Sequence, residues 1–324
     1  MAAFILQRVI QAAGVLLATS LVVFFAIYAI GNPVELLVPP HATQLERELQ
    51  MVRLGLDRPP WERYFIFLGN ALQGDLGRSF VHGVPAIGLI LGRMPATFEL
   101  VLLAMTIAVV LGIPLGLVAG LNAERHLGRF IMAATIFGYS LPNFWKGMML
   151  ILLFSVALGW LPTSGRGETA SFLGITTSLL TLDGLRHLIL PALNLAIPNL
   201  ALLARLTAAG TAEARAQDYV RYARAKGVRP ARIVRRHILR NILIPIVTVV
   251  GLEFGSLVAF STITESVFAW PGMGKLLIDS IYQLDQPVVV AYVLLAAVLF
   301  VTVNLLVDIL YAALDPRVRL HGEA

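Results

Sequence analysis

The side chains able to do chemistry in this 324-residue chain are few, and most are charges set in apolar surroundings. Glu99, Lys146, Arg205, Glu253, Glu265 and Asp308 fall in or at the ends of stretches apolar enough to cross a bilayer, where an ionised group is costly and by default functional. Glu99, Lys146, Arg205 and Glu265 lie close to an expected helix end or proline break, where a long side chain reaches the interface and needs no further role. Glu253 and Asp308 are expected deeper. Asn304 and Asp308 stand one helical turn apart, giving a polar stripe, and Glu253, Asn304 and Asp308 serve either interhelical hydrogen bonding or the lining of a polar path. His82, His187 and His237 are scattered without ligand spacing, and the absence of cysteine excludes disulfides and thiolate chemistry. Neither HExxH nor GxSxG occurs. The run Trp270-Pro271-Gly272-Met273-Gly274-Lys275-Leu276 imitates a phosphate loop. Ala269 stands where its first glycine is needed, however, and Leu276 where a serine or threonine is needed. No catalytic residue, metal site or cofactor of its own is expected.

The strongest positive signal is the charged segment from Ala209 to Arg240. It carries Arg215, Arg221, Arg224, Lys226, Arg229, Arg232, Arg235, Arg236 and Arg240 against only Glu213 and Asp218. The charges alternate with Ala214, Ala216, Tyr219, Val220, Tyr222, Ala223 and Ala225, an amphipathic helical pattern. Gly227 ends that helix, and Arg229-Pro230 opens a second short one through Ile233, Val234, His237 and Ile238. Such a projection docks into a groove on a cytosolic partner, or lies on anionic lipid; residue types and spacing admit both.

The elements that hold this segment are membrane spans. The chain is 58% hydrophobic and 14% charged with a mean hydropathy of +0.80, against about 25% charged residues in soluble domains. Its net charge of +6 follows from basic cytoplasmic loops rather than nucleic-acid binding. Apolar runs are expected to span at 9–30, 100–121, 130–160, 187–208, 242–265 and 288–314, six helices with both termini cytoplasmic. The first run is too long for a signal-peptide core and no small-x-small cleavage site follows it. Gly31-Asn32-Pro33 ends it, and Pro142 breaks the third span by a kink or a turn into an outer element. Residues 31–95 balance six basic against six acidic side chains (Arg47, Arg53, Arg58, Arg63, Arg78, Arg93; Glu35, Glu46, Glu48, Asp57, Glu62, Asp75), as a translocated segment tolerates. Within it, the aromatic stretch 61–72 lies on the membrane surface or packs on the bundle. Gly112, Gly116 and Gly120 line one face of the second span, which lets another backbone approach closely. Three regions follow: residues 1–96 with the first helix and a long periplasmic segment, a five-helix core over 97–314 containing the cytoplasmic loop 209–240, and a tail at 315–324.

Asp218-Tyr219-Val220-Arg221-Tyr222-Ala223-Arg224-Ala225-Lys226-Gly227, followed by His237-Ile238-Leu239-Arg240-Asn241 and Pro245, resembles the coupling-loop signature of the dipeptide/oligopeptide/nickel family of ABC importer permeases. Arg221 stands where the general importer pattern has Glu, and Arg240 where it has Pro, which puts a Glu-based ATPase contact in doubt. Leu54-Gly55-Leu56-Asp57-Arg58-Pro59 with Gly74-Asp75-Leu76-Gly77 is similar to the outer segment of the B-type permease of such systems. Ser140 to Trp145, Ala269 to Gly274 and Leu314 to Arg319 are similar as well, so the resemblance covers nearly the whole chain.

It implies an all-α polytopic protein of the bacterial inner membrane with the type I importer transmembrane fold, forming half of a translocation pathway. The implied partners are a second, different permease, two ATPase subunits that bind ATP and Mg, a periplasmic or lipid-anchored binding protein, and membrane lipid, with no nucleic acid. Tyr219, Arg221, Tyr222, Ala223, Arg224, Ala225, Lys226 and Gly227 are expected to dock the ATPase. The loop 266–286 with Trp270, Pro271 and Gly272, together with residues 31–95, is expected to face the binding protein. Peptides are the expected cargo; nickel complexes, glutathione and glycosides are the alternatives.

Overall fold

The computed structural model describes residues 2–30, 38, 41, 43–53, 57–172 and 174–314, with the side chains of 2–7, 9, 27–30, 53 and 308–314 outside that description. The turn at 31–33, the start of the 54–59 motif and the 315–324 tail therefore fall outside the described residues. The chain forms two compact units, Met1–Ala96 with Pro271–Val301, and Thr97–Trp270 with Thr302–Ala324.

In the first unit, α1 (Ala2–Ile30) is a 29-residue helix, about 43 Å long at 1.5 Å per residue. Helix α2 (Gln44–Arg53) begins with a capping box. The Thr43 N–H donates to Glu46 Oε2 at 2.8 Å and the Glu46 N–H to Thr43 Oγ1 at 3.4 Å, so two orphan amides are satisfied reciprocally. Helix α3 (Pro60–Leu72) opens on a proline at its first turn, where the missing N–H costs nothing. Its aromatic face packs on α1: Phe24 lies 5.5 Å from the rings of both Tyr64 and Phe67, and the hydroxyls of Tyr64 and Ser20 share a 2.9 Å hydrogen bond. Of the two placements open to residues 61–72, packing on a helix is the one observed.

The division expected at residue 96 leaves out a part. Pro271–Val301 belongs with the N-terminal unit because buried contacts tie them. Asp285 accepts from the Ser79 hydroxyl and, at 2.9 Å, from the Phe80 N–H, while Val289 and Val290 pack with Val23, Phe67, Leu277 and Leu294. This stretch supplies α11 (Met273–Tyr282) and the start of α12 (Gln286–Leu314).

The second unit is built on α4 (Ala86–Leu121) from Thr97 onward and on α7 (Leu182–Ala216), both helices long and apolar enough to cross a membrane. Cβ atoms added at Gly112, Gly116 and Gly120 would lie 3.0, 2.5 and 2.6 Å from the carbonyl oxygens of Leu200, Ala204 and Ala208. Both series advance together by four residues, so α4 and α7 run parallel with their backbones in contact, as small-residue faces permit. Between them in sequence, α5 (His126–Ser140) and α6 (Asn143–Leu150), the latter continued by a π-turn at Ile151–Ala157, meet at 104° across Leu141-Pro142. The expected break is thus a near right-angle bend. The expected outer loop 163–186 holds a two-stranded hairpin, β1 (Ala170–Phe172) with β2 (Ile175–Thr177), and the N-terminus of α7, whose Thr181 side chain accepts from the Gly184 N–H at 3.0 Å.

After α7 come α8 (Asp218–Ala225), α9 (Pro230–Phe260, wound as a π-helix over Ile233–Leu239) and α10 (Thr262–Val267). Helices α4, α7, α9 and α12 are four candidate spans, and the bent pair makes a fifth. The chain is a multi-pass helical membrane protein.

Gly116→Ala should destabilise the folded protein by about 1–3 kcal/mol through overpacking, read as a lowered melting temperature in detergent. Gly92→Ala, where a Cβ meets nothing within 4 Å, should be neutral or slightly stabilising. An unchanged melting temperature for Gly116→Ala would refute the contact.

Candidate functional site

The basic segment is held as one short helix pinned between two spans. In α8, Val220 and Ala223 turn inward and join a cluster with Ala214 of α7 and with Ile233, Ile238, Ile242 and Ile246 of α9. Val220 is 0% exposed. Asp218, Tyr219, Arg221, Tyr222, Arg224, Ala225 and Lys226 stay exposed. Tyr222 is 62% exposed, and the Lys226 ammonium sits 4.5 Å above its ring. Arg221 reaches Asp218 at 3.6 Å, both exposed, a pair worth little. The exposed face is therefore two tyrosines and three cations around small Ala225, shaped to meet another surface. Ala223, grouped with the docking residues, is instead an anchor at 5% exposure.

Gly227 closes α8. Its φ of +72° is left-handed; its N–H donates to Arg224 O at 2.9 Å, and the Val228 N–H donates to Ala223 O at 3.1 Å. This is the Schellman arrangement, with Gly at C′ and an apolar C″ residue returning to the helix; Val228 packs on the cluster that contains Ala223. The second short helix expected after Arg229-Pro230 is not separate. It is the first turns of α9, because Ile233, Ile238, Ile242 and Ile246 keep one buried face through the π-wound stretch. Likewise residues 209–216 continue α7, so the free connection shrinks to 217–229. At the entrance of α8, the Arg215 guanidinium donates to the Gly120 and Leu121 carbonyls at 3.2 and 2.6 Å, capping α4. A hollow of about 520 Å³ there is lined by 120–125, Ala212, Arg215, Ala216 and Arg224.

The other expected residues separate by burial. Trp270 is 0% exposed and Gly272 is buried, which corrects their placement on a binding-protein face. Ala269 takes φ +46°, and the Trp270 ring then lies 5.9 Å below the Arg166 guanidinium; Pro271 is half-buried. Lys275 of the phosphate-loop mimic bonds Asp279 Oδ2 at 2.6 Å. Glu99, Lys146 and Glu265, expected to snorkel, are buried. Glu99 accepts from Arg166 Nη2 at 2.8 Å and from the Ser178 N–H at 3.2 Å. Glu265 accepts from the Thr97 and Ser261 hydroxyls at 2.7 and 3.0 Å. Arg166, which ties α4 to the hairpin, had no apolar run around it to mark it. Arg205 stacks 5.1 Å over Tyr139. Glu253 is half-buried in α9. Asn304 Oδ1 is buried without a hydrogen bond among the described residues, and the Asp308 side chain lies outside them; α9 and α12 meet nearby, where a Cβ added at Gly251 would lie 2.4 Å from Val307.

A parallel helix pair, a bent span and a short exposed helix pinned between two spans define the transmembrane fold of an ABC importer. The solved MetNI methionine ABC transporter in inward-facing conformations matches 71% of this chain and 97% of its own at a TM-score of 0.54 and 17% identity, a likeness of fold. Residues 112–320 match the family described as binding-protein-dependent transport system inner membrane component, and the chain belongs to that family. The oligopeptide transport system permease protein AppB of Bacillus subtilis is 39% identical over 320 residues, covering 98% of this chain and 99% of that one. The di/tripeptide transport system permease protein DppB of Pseudomonas aeruginosa is 43% identical over 302 residues, 89% and 90% of the two chains. The glutathione transport system permease protein GsiC of Escherichia coli is 38% identical over 317 residues, 98% of each. The chain is a multi-pass permease component of the bacterial inner membrane.

If the left-handed turn holds α8 in place, tryptic cleavage at the basic residues of 217–229 should accelerate in the order Gly227→Asn, Gly227→Ala, Gly227→Val. No side chain blocks a Cβ at this site, so the loss is backbone strain of about 1–2 kcal/mol for a non-glycine residue, least for Asn. Equal cleavage of all three would refute that role.

Proposed function

We propose that this chain forms half of the pathway of an ATP-driven importer of di- and oligopeptides and is driven through α8 by separate ATPase subunits. The observation that carries this reading is the division of α8: Val220 and Ala223 root it in the span ends, while Arg221, Tyr222, Arg224, Ala225 and Lys226 are exposed to a partner and Tyr219 is exposed beside them with its hydroxyl held by Asn241. A helix rooted in this way transmits a push on its exposed face to α7 and α9 together. With Arg221 at the Glu position of the general pattern, docking uses cations and aromatic surface.

ATP and Mg reside in the ATPases, whose closure draws the α8 helices of two permeases together and tips the spans between two states. Nucleotide biases that equilibrium from inside and the loaded binding protein from outside. The second permease is a different chain. Counting α1 and the bent pair as one span each gives six spans with cytoplasmic termini, and puts residues 217–240 in the cytosol, as their nine-to-two predominance of base over acid across 209–240 requires. With Trp270 and Gly272 buried, the binding-protein surface falls to the first unit's outer residues around α2 and α3. Peptide is the cargo because two relatives similar over most of their length are named for oligopeptides and di/tripeptides. Glutathione, itself a tripeptide, is the second reading, from the relative named for it.

The natural chain contains no cysteine, so Ala225→Cys provides a unique thiol. Bifunctional cross-linking of the assembled complex should join it to an ATPase subunit, and Gly227→Pro should leave membrane insertion intact while separating ATP hydrolysis from peptide uptake in proteoliposomes. Cross-links to lipid alone, or normal uptake by Gly227→Pro, would refute the coupling role; uptake competed by glutathione but by no other peptide would replace the cargo.

A further inference from the structure

The first turns of α9 have two opposite faces, and only one is used by the fold. On one, Asn241, Ile242 and Pro245 line the groove shared with α7 and α8, where Asn241 Nδ2 donates to the Tyr219 hydroxyl at 3.0 Å. On the other, Arg232, Arg235, Arg236 and Arg240 surround an open hollow of about 630 Å³ with Ala231, Leu239 and Leu243. All four arginines are exposed, and no carboxylate among the described residues lines the hollow. The two acids of the segment are elsewhere: Asp218 beside Arg221, and Glu213 in the opposite groove.

We propose that this hollow binds the phosphate headgroup of an anionic phospholipid in the cytoplasmic leaflet. Three observations converge on that ligand. Four guanidinium groups on one helix face offer forked donors that match phosphate oxygens. The same face changes to hydrocarbon within one turn: Leu243 is 37% exposed, about 4.5 Å along the axis from Arg240. Helix α9 continues as a candidate span, with Leu252 and Phe260 exposed further along. The arginines thus stand at the end of a candidate span, immediately beside its exposed apolar stretch, and Leu239 and Leu243 supply the apolar part of the hollow. Finally, the face is turned away from α8, so a partner gripping α8 does not cover it. The π-winding of Ile233–Leu239 lies within this site; such turns recur at functional positions. Each basic residue near an anionic leaflet is worth roughly a fivefold gain in partitioning, so four together can retain a lipid through purification.

The inference rests on the cytoplasmic placement of residues 217–240 and on nothing else in the proposed function. The test uses the assembled permease complex in phosphatidylcholine nanodiscs with or without phosphatidylglycerol, read by native mass spectrometry and by melting temperature. The natural protein should retain phosphatidylglycerol in preference to phosphatidylcholine and melt higher in its presence, whereas inorganic phosphate added to the phosphatidylcholine sample should not reproduce the shift. Arg235→Gln/Arg236→Gln/Arg240→Gln should lose at least tenfold of that preference. The lysine triple, which keeps charge and guards against a folding defect, should keep most of it. Arg125→Gln/Arg129→Gln, exposed beyond the C-terminal end of α4, should keep all of it. Undiminished retention by the glutamine triple would overturn the site, as would a triple that keeps its lipid but sheds an ATPase or the second permease. Failure of the Ala225→Cys cross-link with lipid retention intact would count against ATPase docking alone.

Discussion

The backbone contact between α4 and α7 is the constraint on which the second unit depends. Inside a bilayer, apolar side chains gain nothing from meeting one another rather than lipid, so helices associate through close packing. Gly112, Gly116 and Gly120 supply it by bringing α4 onto the Leu200, Ala204 and Ala208 carbonyls. The same register then carries the Arg215 guanidinium from α7 to the C-terminal carbonyls of α4. Cations are favoured at that negative end, so the contact that joins the helices also fixes where α7 ends. Because α8 begins two residues after Ala216, its position is set from the same place.

Buried polarity is concentrated elsewhere in the second unit. Arg166 joins Glu99, the Ser178 hydroxyl, the Thr176 carbonyl and the Trp270 ring, while Glu265 takes hydroxyls from Thr97 and Ser261. Each buried carboxylate therefore has several donors, which a buried charge requires if it is not to destabilise the fold. Lys146 differs. It is 4% exposed, and its ammonium has no hydrogen bond among the described residues. It lies in the first turns of α6, just past the Pro142 bend.

Much of this was legible in the chain itself, for reasons that differ by element. Long apolar runs have one stable outcome in lipid, so α4, α7, α9 and α12 were readable from composition, and Pro142 announced the bend. The glycine series at four-residue spacing foretold a close helix contact without identifying α7 as its partner, since spacing describes one face only. Gly227 was readable as a break because the helical pattern stops there. Ile233 onwards was misread as a separate helix: the pattern before a span looks like an amphipathic helix of its own, and only the shared isoleucine face joins it to α9. Glu99, Glu265 and Trp270 were misjudged because their partners are far away in sequence, at Arg166, Thr97 and again Arg166. The claim of Pro271–Val301 on the N-terminal unit rests on Asp285 meeting Ser79 and Phe80, for which no local pattern exists.

The anchoring of α8 also limits how this protein can move. If α8 hung on a flexible linker, a partner could displace it without consequence for the spans. Instead Val220 and Ala223 share one apolar cluster with α7 and α9, and Gly227 and Val228 close the turn with two backbone hydrogen bonds. Detaching α8 would expose that cluster at a cost of about 25 cal/mol per Å², with the turn's hydrogen bonds surrendered as well. Close-packed interfaces shift between discrete arrangements rather than deforming continuously. A force applied at Tyr222 or Ala225 is therefore relieved most cheaply by moving the C-terminal end of α7 and the N-terminal end of α9 as one body, and α4 must follow through its glycine contact with α7. At the near right-angle break at Leu141-Pro142, α5 and α6 turn apart while both pack on α7, so a shift of α7 acts on both arms of the bend.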